Sequence, residues 1–500
     1  MVIASTMVNI ISDMRTKTSL LIMQMGRRTT QFTMLLCVAV PLLIVSFRHD
    51  HRLAFYTPSN VESYSLSTEP DFSALQAEAL LRGRLDVLPV PTELLALENP
   101  YDPKTNIKAA RGRGYHDLSY YKGKIYAPQG FGASVLIDIP TRVLGLGYAT
   151  PPLKILTALV IGSWSLAMLV LGIFRRRPDT RQRMIEVVIL AAVVIVANPA
   201  TWLLTAGRAY QVPVAAAYMA LSAAALILHR TLSTRTIKGP RRFLYLCIAS
   251  VLVLLGVVAR PTVLPVGVLL AVGSIVWTFV SKDVNRIRLS ELVALVIPAL
   301  AVTGLWLWFN QARFGDPFET GHVFQLAGFN MREYPVGSVG YLAENLRSYL
   351  LTPYRFSREY PFFSLADPTT SQDINVQGRE KMVGVLVAYP QLLVGPVLLM
   401  TWFVIHKRWS SAVFAFSCIT ASTCSLVLAS ILFKDSTMRY VPDFTLPLLF
   451  LVAWGTLVVL NRNPIRGTGL SRSFGYLVLG TCLYSAAVSA GIIMTVCFAC

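Results

Sequence analysis

Closely spaced acidic side chains are the first residues whose type suggests chemistry. Glu69 and Asp71 flank a proline in the run Thr68-Glu69-Pro70-Asp71-Phe72. A carboxylate in such a loop can act as a general base and accept the proton of an attacking hydroxyl. The same residues can instead cap a helix and favour its dipole. Spacing alone leaves both interpretations open.

A second acidic candidate lies further along, where His116 and Asp117 precede a tyrosine-rich turn from Ser119 to Tyr126. Asp117 and His116 are candidates for a proton-transfer pair, or they hold the shape of the loop. Tyr120 belongs to the tyrosine cluster of this turn, which is also typical of an aromatic belt at a membrane surface.

Arginine side chains at the ends of apolar segments are the third group. Arg439 is followed by Tyr440, and the other basic candidates of this kind are Lys124, Arg260 and Arg313. Arginine suits phosphate because its planar fork donates two parallel hydrogen bonds. The alternative is that these side chains reach toward lipid headgroups without a specific ligand.

The composition shows what must position these residues. Of 500 residues, 54% are hydrophobic and only 14% are charged. Soluble domains carry about 25% charged residues, so we predict an all-α polytopic membrane protein. A spanning helix needs about 20 mostly apolar residues. Eleven segments qualify, so we expect about 11 transmembrane helices: 31–47, 152–174, 185–203, 212–229, 243–259, 263–280, 291–309, 383–405, 410–433, 441–460 and 474–496.

The basic residues predict the orientation of these helices. With a cytoplasmic N-terminus, about 22 basic residues, including Arg175–Arg177 and Arg241–Arg242, fall on the inner side, whereas the short outer loops hold only Arg208, Arg260, Lys434 and Arg439. This explains most of the net charge of +19 without a nucleic-acid partner. We expect a multi-pass membrane protein that contacts membrane lipids.

Two long segments then lie outside the cell membrane, at 48–151 and 310–382. The predicted organisation is a cytoplasmic segment 1–30, a transmembrane core 31–309 that includes the loop 48–151, a second loop 310–382 and C-terminal helices 383–500.

Within the first loop, apolar residues at 72, 75, 79 and 80 predict an amphipathic helix on the membrane surface, capped by Ser67 or Thr68. The apolar stretch 133–147 is too short to span and predicts an interfacial or re-entrant helix.

The motifs together resemble those of the GT-C glycosyltransferases, of the protein O-mannosyltransferase and aminoarabinose transferase type. The resemblance covers roughly 60–450 and comprises Glu69-Pro70-Asp71-Phe72, Ala79 to Leu85, Ser119 to Tyr126, Arg260-Pro261-Thr262, Arg313 to Pro317, Gln325 to Gly328, and Arg439-Tyr440 with Asp443. The chain departs from the family at Thr68 and Phe72, where the family has an aspartate and a tyrosine.

The resemblance implies transfer of a sugar from a polyprenyl-phosphate lipid to an extracytoplasmic glycan, lipid or protein. Glu69 would be the base, with Asp71 as the alternate and Asp117 as a second candidate. Arg439 would hold the lipid phosphate, and we expect Asp443 to pair with Arg439 or a helix end. The sequence requires no cofactor; a divalent cation is possible, but no ligand set is evident.

Three other functions remain open from the sequence. A transporter of lipid-linked sugars would show inverted repeats and broken midplane helices. An O-antigen ligase or polymerase would place its chemistry in 310–382. An inactive assembly subunit is consistent with the departures at Thr68 and Phe72.

Overall fold

The computed structural model describes most of the predicted spans, most of the first loop and parts of the second. The described residues are 29–46, 53–57, 59, 61–63, 70–128, 130–173, 180–196, 198–233, 237–280, 289–333, 337–356, 363–365, 381–433, 436–461, 480, 481, 484, 485 and 488. Glu69, Thr68, the segment 1–28 and nearly all of the predicted span 474–496 lie outside them.

Helices form most of the described chain. In order they are α1 Thr29–Ser46, α2 Phe72–Leu81, α3 Thr92–Leu95, α4 Pro103–Ala109, α5 Ile139–Val143, α6 Pro151–Ile173, α7 Thr180–Val196, α8 Leu203–Ala206, α9 Val212–Ser233, α10 Gly239–Ala259, α11 Leu264–Val280, α12 Leu289–Phe314, α13 Leu342–Leu351, α14 Val385–Ala388, α15 Gln391–Ile405, α16 Trp409–Leu432 and α17 Val441–Asn461.

Three short antiparallel pairs are the sheet structure of the described residues. They are β1 Phe55–Tyr56 with β4 Tyr148–Ala149, β2 Ser119–Tyr121 with β3 Lys124–Tyr126, and β5 Tyr354–Phe356 with β6 Phe363–Leu365.

The prediction of an all-helical polytopic membrane protein is confirmed. Among the described residues, seven helices are long and apolar enough to cross a membrane: Thr29–Ser46, Pro151–Ile173, Ala209–Ser233, Gly239–Ala259, Leu289–Phe314, Trp409–Leu432 and Met438–Val458. The helices Pro261–Trp277 and Gln391–Ile405 are apolar but shorter. Buried residues of these helices form one large core between them.

Two predicted spans are broken in the structure. The segment 185–203 becomes Met184–Ile195 and Pro199–Ala206, which meet at a bend of 58°. The segment 383–405 is divided into α14 and α15 at Tyr389 and Pro390. In both places a proline begins the second piece, since its ring clashes with a continuing helix and it has no N–H to donate.

Helix α2 differs from the amphipathic surface helix that its apolar spacing predicted. Every residue from Phe72 to Ala79 is buried, including the polar Ser73, Gln76 and Glu78. The polar residues are buried because each has a partner: Ser134 Oγ donates to Gln76 over 2.8 Å, and Tyr148 donates to Glu78 over 2.5 Å. Asp71 caps the helix by accepting from Ala74 N, so the predicted cap position was also wrong.

The two long loops pack as one layer. The backbone N–H of Leu326 donates to Leu118 over 2.9 Å, and that of Asp117 donates to Leu326 over 3.1 Å. Ser119 Oγ donates to the Gly321 carbonyl over 2.7 Å. Segment 321–326 therefore extends the β2–β3 hairpin, and we call the end of the helix bundle that bears this layer the loop end.

The stretch 130–143 runs directly against α10. It contains a π-helix, Ser134–Asp138, followed by α5. A Cβ on Gly132 would overlap the backbone of Leu255 and Ala259, and one on Gly130 would overlap the carbonyl of Val258. Glycine is needed here because the two backbones touch.

We predict that Gly132→Ala lowers the thermal unfolding temperature of the detergent-purified protein, because overpacking a close backbone contact costs about 1–3 kcal/mol. Gly304→Ala is the matched control, since no atom lies within 4 Å of a Cβ added there. The control is expected to unfold at the wild-type temperature or above it. Equal unfolding temperatures for the two variants would contradict the close packing of 130–132 on α10.

Candidate functional site

Two arginines from different spans lie on the same tyrosine ring at the loop end. Arg260 follows α10, and its guanidinium carbon is 4.1 Å from the centre of the Tyr440 ring. The guanidinium carbon of Arg439 is 5.4 Å from the same ring and 5.1 Å from that of Tyr210. The predicted residues Arg260, Arg439 and Tyr440 are therefore brought together.

Asp443 compensates only one of these two charges. The sequence predicted that Asp443 pairs with Arg439 or a helix end. It lies in the first turn of α17, but its guanidinium partner is Arg260 and not Arg439: Arg260 Nε donates to Asp443 Oδ2 over 2.8 Å, and Thr262 Oγ1 donates to the same oxygen over 2.6 Å. Arg260 Nη2 is buried and has no hydrogen-bond partner among the described residues. One outer nitrogen of Arg260 is therefore left to donate elsewhere.

Asp117 is held beside the arginines through Tyr210. The hydroxyl of Tyr210 donates to Asp117 Oδ2 over 2.7 Å, and the Tyr210 ring is the one that Arg439 contacts. Asp117 has a left-handed backbone, with φ of 59°, and its side chain is 23% exposed. His116 Nε2 lies 3.6 Å from the same carboxylate oxygen and is more exposed.

His322 reaches this cluster from the second loop. Its ring meets that of Phe433 edge-on at 5.4 Å between centroids, and Phe433 in turn packs on Tyr440 at 4.9 Å. Burial lowers the pKa of His322 to about 4, although the nearby negative charge of Asp117 acts in the opposite direction. The imidazole is therefore neutral at physiological pH.

Asp71 lies in a second charged cluster, which is wholly buried. Lys154 Nζ donates to both oxygens of Asp71 over 2.8 Å and lies 2.6 Å from Asp138 Oδ1. All three side chains have 0% exposure. Tyr56 also donates to Asp71, over 2.8 Å. Asp71 is thus held by several donors inside the protein and presents no surface to solvent.

Asp138 and Lys154 form a charged cluster with Asp71 that no sequence motif indicated. Burial raises the pKa of Asp138 to about 6, against the attraction of Lys154, and the neighbouring charge of Asp71 raises it further. The sequence did contain a signal for this cluster, because a lysine in the first turn of an apolar span and an aspartate in an apolar stretch each need a charged or hydrogen-bonding partner.

The remaining predicted residues lie in other surroundings. Lys124 is exposed on β3, and Tyr120 is half-buried and packs against the ring of Tyr101. Arg313 is buried; its Nη1 donates to the Ala127 carbonyl over 2.7 Å and its Nη2 to Asn310 over 2.9 Å. Arg313 therefore ties α12 to the end of the β2–β3 hairpin.

The described residues contain no group of three or more histidine, cysteine, aspartate or glutamate side chains that could hold a metal ion. Where two carboxylates do meet, at Asp71 and Asp138, the Lys154 ammonium lies between them.

We predict that Asp138→Asn raises the unfolding temperature at pH 7.5 and that the gain is about half as large at pH 5, midway between the unfolded and the folded pKa of this carboxyl. The folded protein holds the Asp138 proton more tightly than the unfolded chain, so this carboxyl favours folding below about pH 4 and loses that contribution as the pH rises through about 6. The asparagine variant avoids that loss, which is at most about 3 kcal/mol. Thermal unfolding at both pH values is the measurement.

Lys154→Met is the opposing variant, because it leaves two buried carboxylates facing each other. Removing one partner of a buried ion pair costs about 3–5 kcal/mol. The destabilisation should be larger at pH 7.5 than at pH 5, where the carboxyls can be protonated. A Lys154→Met protein as stable as the wild type at pH 7.5 would contradict the cluster.

Two solved structures are similar to 85% of this chain. The crystal structure of the Archaeoglobus fulgidus oligosaccharyltransferase in the apo form has 13% sequence identity and a TM-score of 0.42. The archaeal oligosaccharyltransferase AglB from Archaeoglobus fulgidus, in complex with an inhibitory peptide and a dolichol-phosphate, has 12% identity and a TM-score of 0.37. The chain covers 56% of each solved chain. No protein-family model and no curated protein matches the sequence.

Proposed function

We propose that this protein is a membrane glycosyltransferase that moves a sugar from a polyprenyl-phosphate lipid to an acceptor outside the membrane. The observation that carries the proposal is the meeting of Arg260 and Arg439 on the Tyr440 ring, with Asp117 joined to them through Tyr210. Cations for a phosphate and a carboxylate for a proton are the two groups that this reaction needs.

The two arginines hold the lipid phosphate in this proposal. Arg260 ends one span and Arg439 begins another, so both lie where the headgroups of a bilayer would be. Arg260 Nη2 is already desolvated and unpartnered among the described residues, so a phosphate oxygen gains a donor without displacing a protein contact. Charges fixed before the reaction stabilise the departing phosphate without reorganisation.

Asp117 is the base that we favour on geometry. Tyr210 fixes one carboxylate oxygen, and the side chain is partly exposed, so an acceptor hydroxyl can approach the other oxygen. The hydroxyl oxygen forms a bond to the anomeric carbon while the bond from that carbon to the phosphate oxygen breaks. The hydroxyl proton passes to Asp117, and the phosphate stays on the lipid with its negative charge beside the arginines.

The other predicted acids have different places in this proposal. Asp71 holds the start of α2 through Lys154 and supports the loop without contacting substrate. Glu69 stands two residues before Asp71 in the chain and remains the alternative base. Lys124 and Arg313 are not assigned to the phosphate, because Lys124 is exposed on the hairpin and Arg313 donates to Ala127 and Asn310.

The cellular setting is part of the same proposal. The distribution of basic residues favours a cytoplasmic N-terminus, which places the loop end outside a bacterial inner membrane. A lipid carrier presents its sugar on that side without a soluble nucleotide sugar. The acceptor would be a glycan, a lipid or a protein.

We expect Asp117→Asn, in the purified full chain with polyprenyl-phosphate-linked sugars, to lower the transfer rate by about 10²–10⁴, the usual contribution of a general base. Arg260→Met and Arg439→Met should each lower it by about 10² or more, since each removes a preplaced positive charge. The measurement is the release of the free lipid phosphate and the labelling of the acceptor.

Asp86→Asn and Arg84→Met are the matched controls. These two residues are partly exposed and lie 3.9 Å apart, outside the proposed site, so both variants should keep wild-type activity. Full activity of Asp117→Asn with loss in Glu69→Gln would move the base to Glu69. Movement of the lipid-linked sugar across the membrane without its cleavage would favour a transporter and contradict the proposed reaction.

A further inference from the structure

His322 stands on a backbone that is tightly constrained. It begins the 3₁₀ helix His322–Phe324, and the preceding Gly321 has φ of 91°. Ser119 Oγ donates to the Gly321 carbonyl over 2.7 Å, and Gly321 N–H donates to Glu319 Oε1 over 2.6 Å. A Cβ on Gly321 would overlap the Phe314 ring. The position of His322 is therefore fixed from several directions.

The imidazole of His322 has no hydrogen-bond partner within the described part of the chain, although the side chain is partly buried. Its ring packs edge-on against that of Phe433. A neutral imidazole carries one N–H donor and one acceptor lone pair at the same time. Neither ring nitrogen is among the wholly buried atoms without a partner, so a ligand can reach them.

The Phe433 ring that His322 contacts is also contacted by Arg260, whose guanidinium carbon lies 5.9 Å from the ring centre. Arg260 Nη2 and the His322 imidazole are thus two side-chain groups around one ring that both lack a hydrogen-bond partner among the described residues. The guanidinium only donates, which suits a phosphate, whereas a neutral imidazole donates and accepts, which suits a hydroxyl.

We propose that His322 binds a hydroxyl of the transferred sugar, beside the phosphate held by Arg260. This rests on the proposed function and adds the part of the substrate that His322 recognises. A sugar on a lipid phosphate has hydroxyls next to the phosphate oxygens. The phosphate could therefore bind Arg260 while a neighbouring hydroxyl binds His322, since both side chains contact Phe433. The negative charge of Asp117, from the first loop, acts on His322, and Arg260 lies against the same Phe433 ring.

Two ligands separate this role from simple packing: bare undecaprenyl phosphate and undecaprenyl phosphate bearing mannose, glucose or a pentose. Binding to the purified full chain in nanodiscs is measured for wild type, His322→Phe, His322→Gln and Arg260→Met. His322→Phe keeps a ring against Phe433 but has no hydrogen-bonding atom. His322→Gln keeps one donor and one acceptor.

The wild type should bind at least one sugar-bearing lipid more tightly than the bare lipid phosphate. His322→Phe should lose that preference, binding the sugar-bearing lipid roughly 3- to 10-fold more weakly, as for a lost neutral hydrogen bond, with unchanged affinity for the bare lipid. His322→Gln should restore part of the preference. Arg260→Met should weaken the binding of both lipids.

Other results would overturn the proposal. Equal weakening of both lipids by His322→Phe would show that the histidine only maintains the fold, and an unchanged preference would show that it does not contact the sugar. A wild type without any preference for the sugar would also overturn it, while the binding of bare lipid phosphate through Arg260 would still stand. If the wild type binds none of the lipids, the proposed function fails as well.

Discussion

The buried ammonium of Lys154 is the interaction on which the arrangement of the loop layer depends. A charge with no exposure must have partners, and here they come from two separate elements: Asp71 at the start of α2 and Asp138 at the end of the π-helix. Lys154 itself lies in the first turn of α6, so the cluster joins the loop to a span. The cluster is connected to the candidate site through α2, because Phe72 of α2 packs edge-on against Tyr210 at 5.2 Å, and the Tyr210 hydroxyl donates to Asp117.

The charges at the loop end are stabilised differently from those of the Lys154 cluster. Arg260 has a carboxylate in Asp443, and both Arg260 and Arg439 lie on the electron-rich face of Tyr440. Two guanidinium groups near one ring repel each other, and a bound anion would lower that repulsion. This is the physical argument for the proposed phosphate site.

The sequence predicted the fold class and most spans, because the length and apolar character of a membrane helix are local properties. It missed the break at Pro199 and the division at Pro390, since a proline inside an apolar segment can also kink a helix without dividing it. Helix α2 was placed on the surface because the apolar residues 72, 75, 79 and 80 fit one face of a helix. The partners of the polar Ser73, Gln76 and Glu78, which are Lys154, Ser134 and Tyr148, are distant in sequence, so nothing local could show that these polar residues are buried.

The role of each arginine in the candidate site also depends on contacts that are distant in sequence. Arg260 and Arg313 are alike in the sequence, each at the loop end of an apolar helix. In the structure, both outer nitrogens of Arg313 donate to groups of the protein, Ala127 and Asn310, whereas Arg260 keeps one buried outer nitrogen without a partner among the described residues. Residue type and position along a helix do not distinguish an arginine whose hydrogen bonds are all made within the protein from one that can bind a ligand. The hydrogen-bond acceptors around the guanidinium do. Tertiary contacts determine which acceptors lie near each guanidinium, so the difference between Arg260 and Arg313 is visible only in the folded chain.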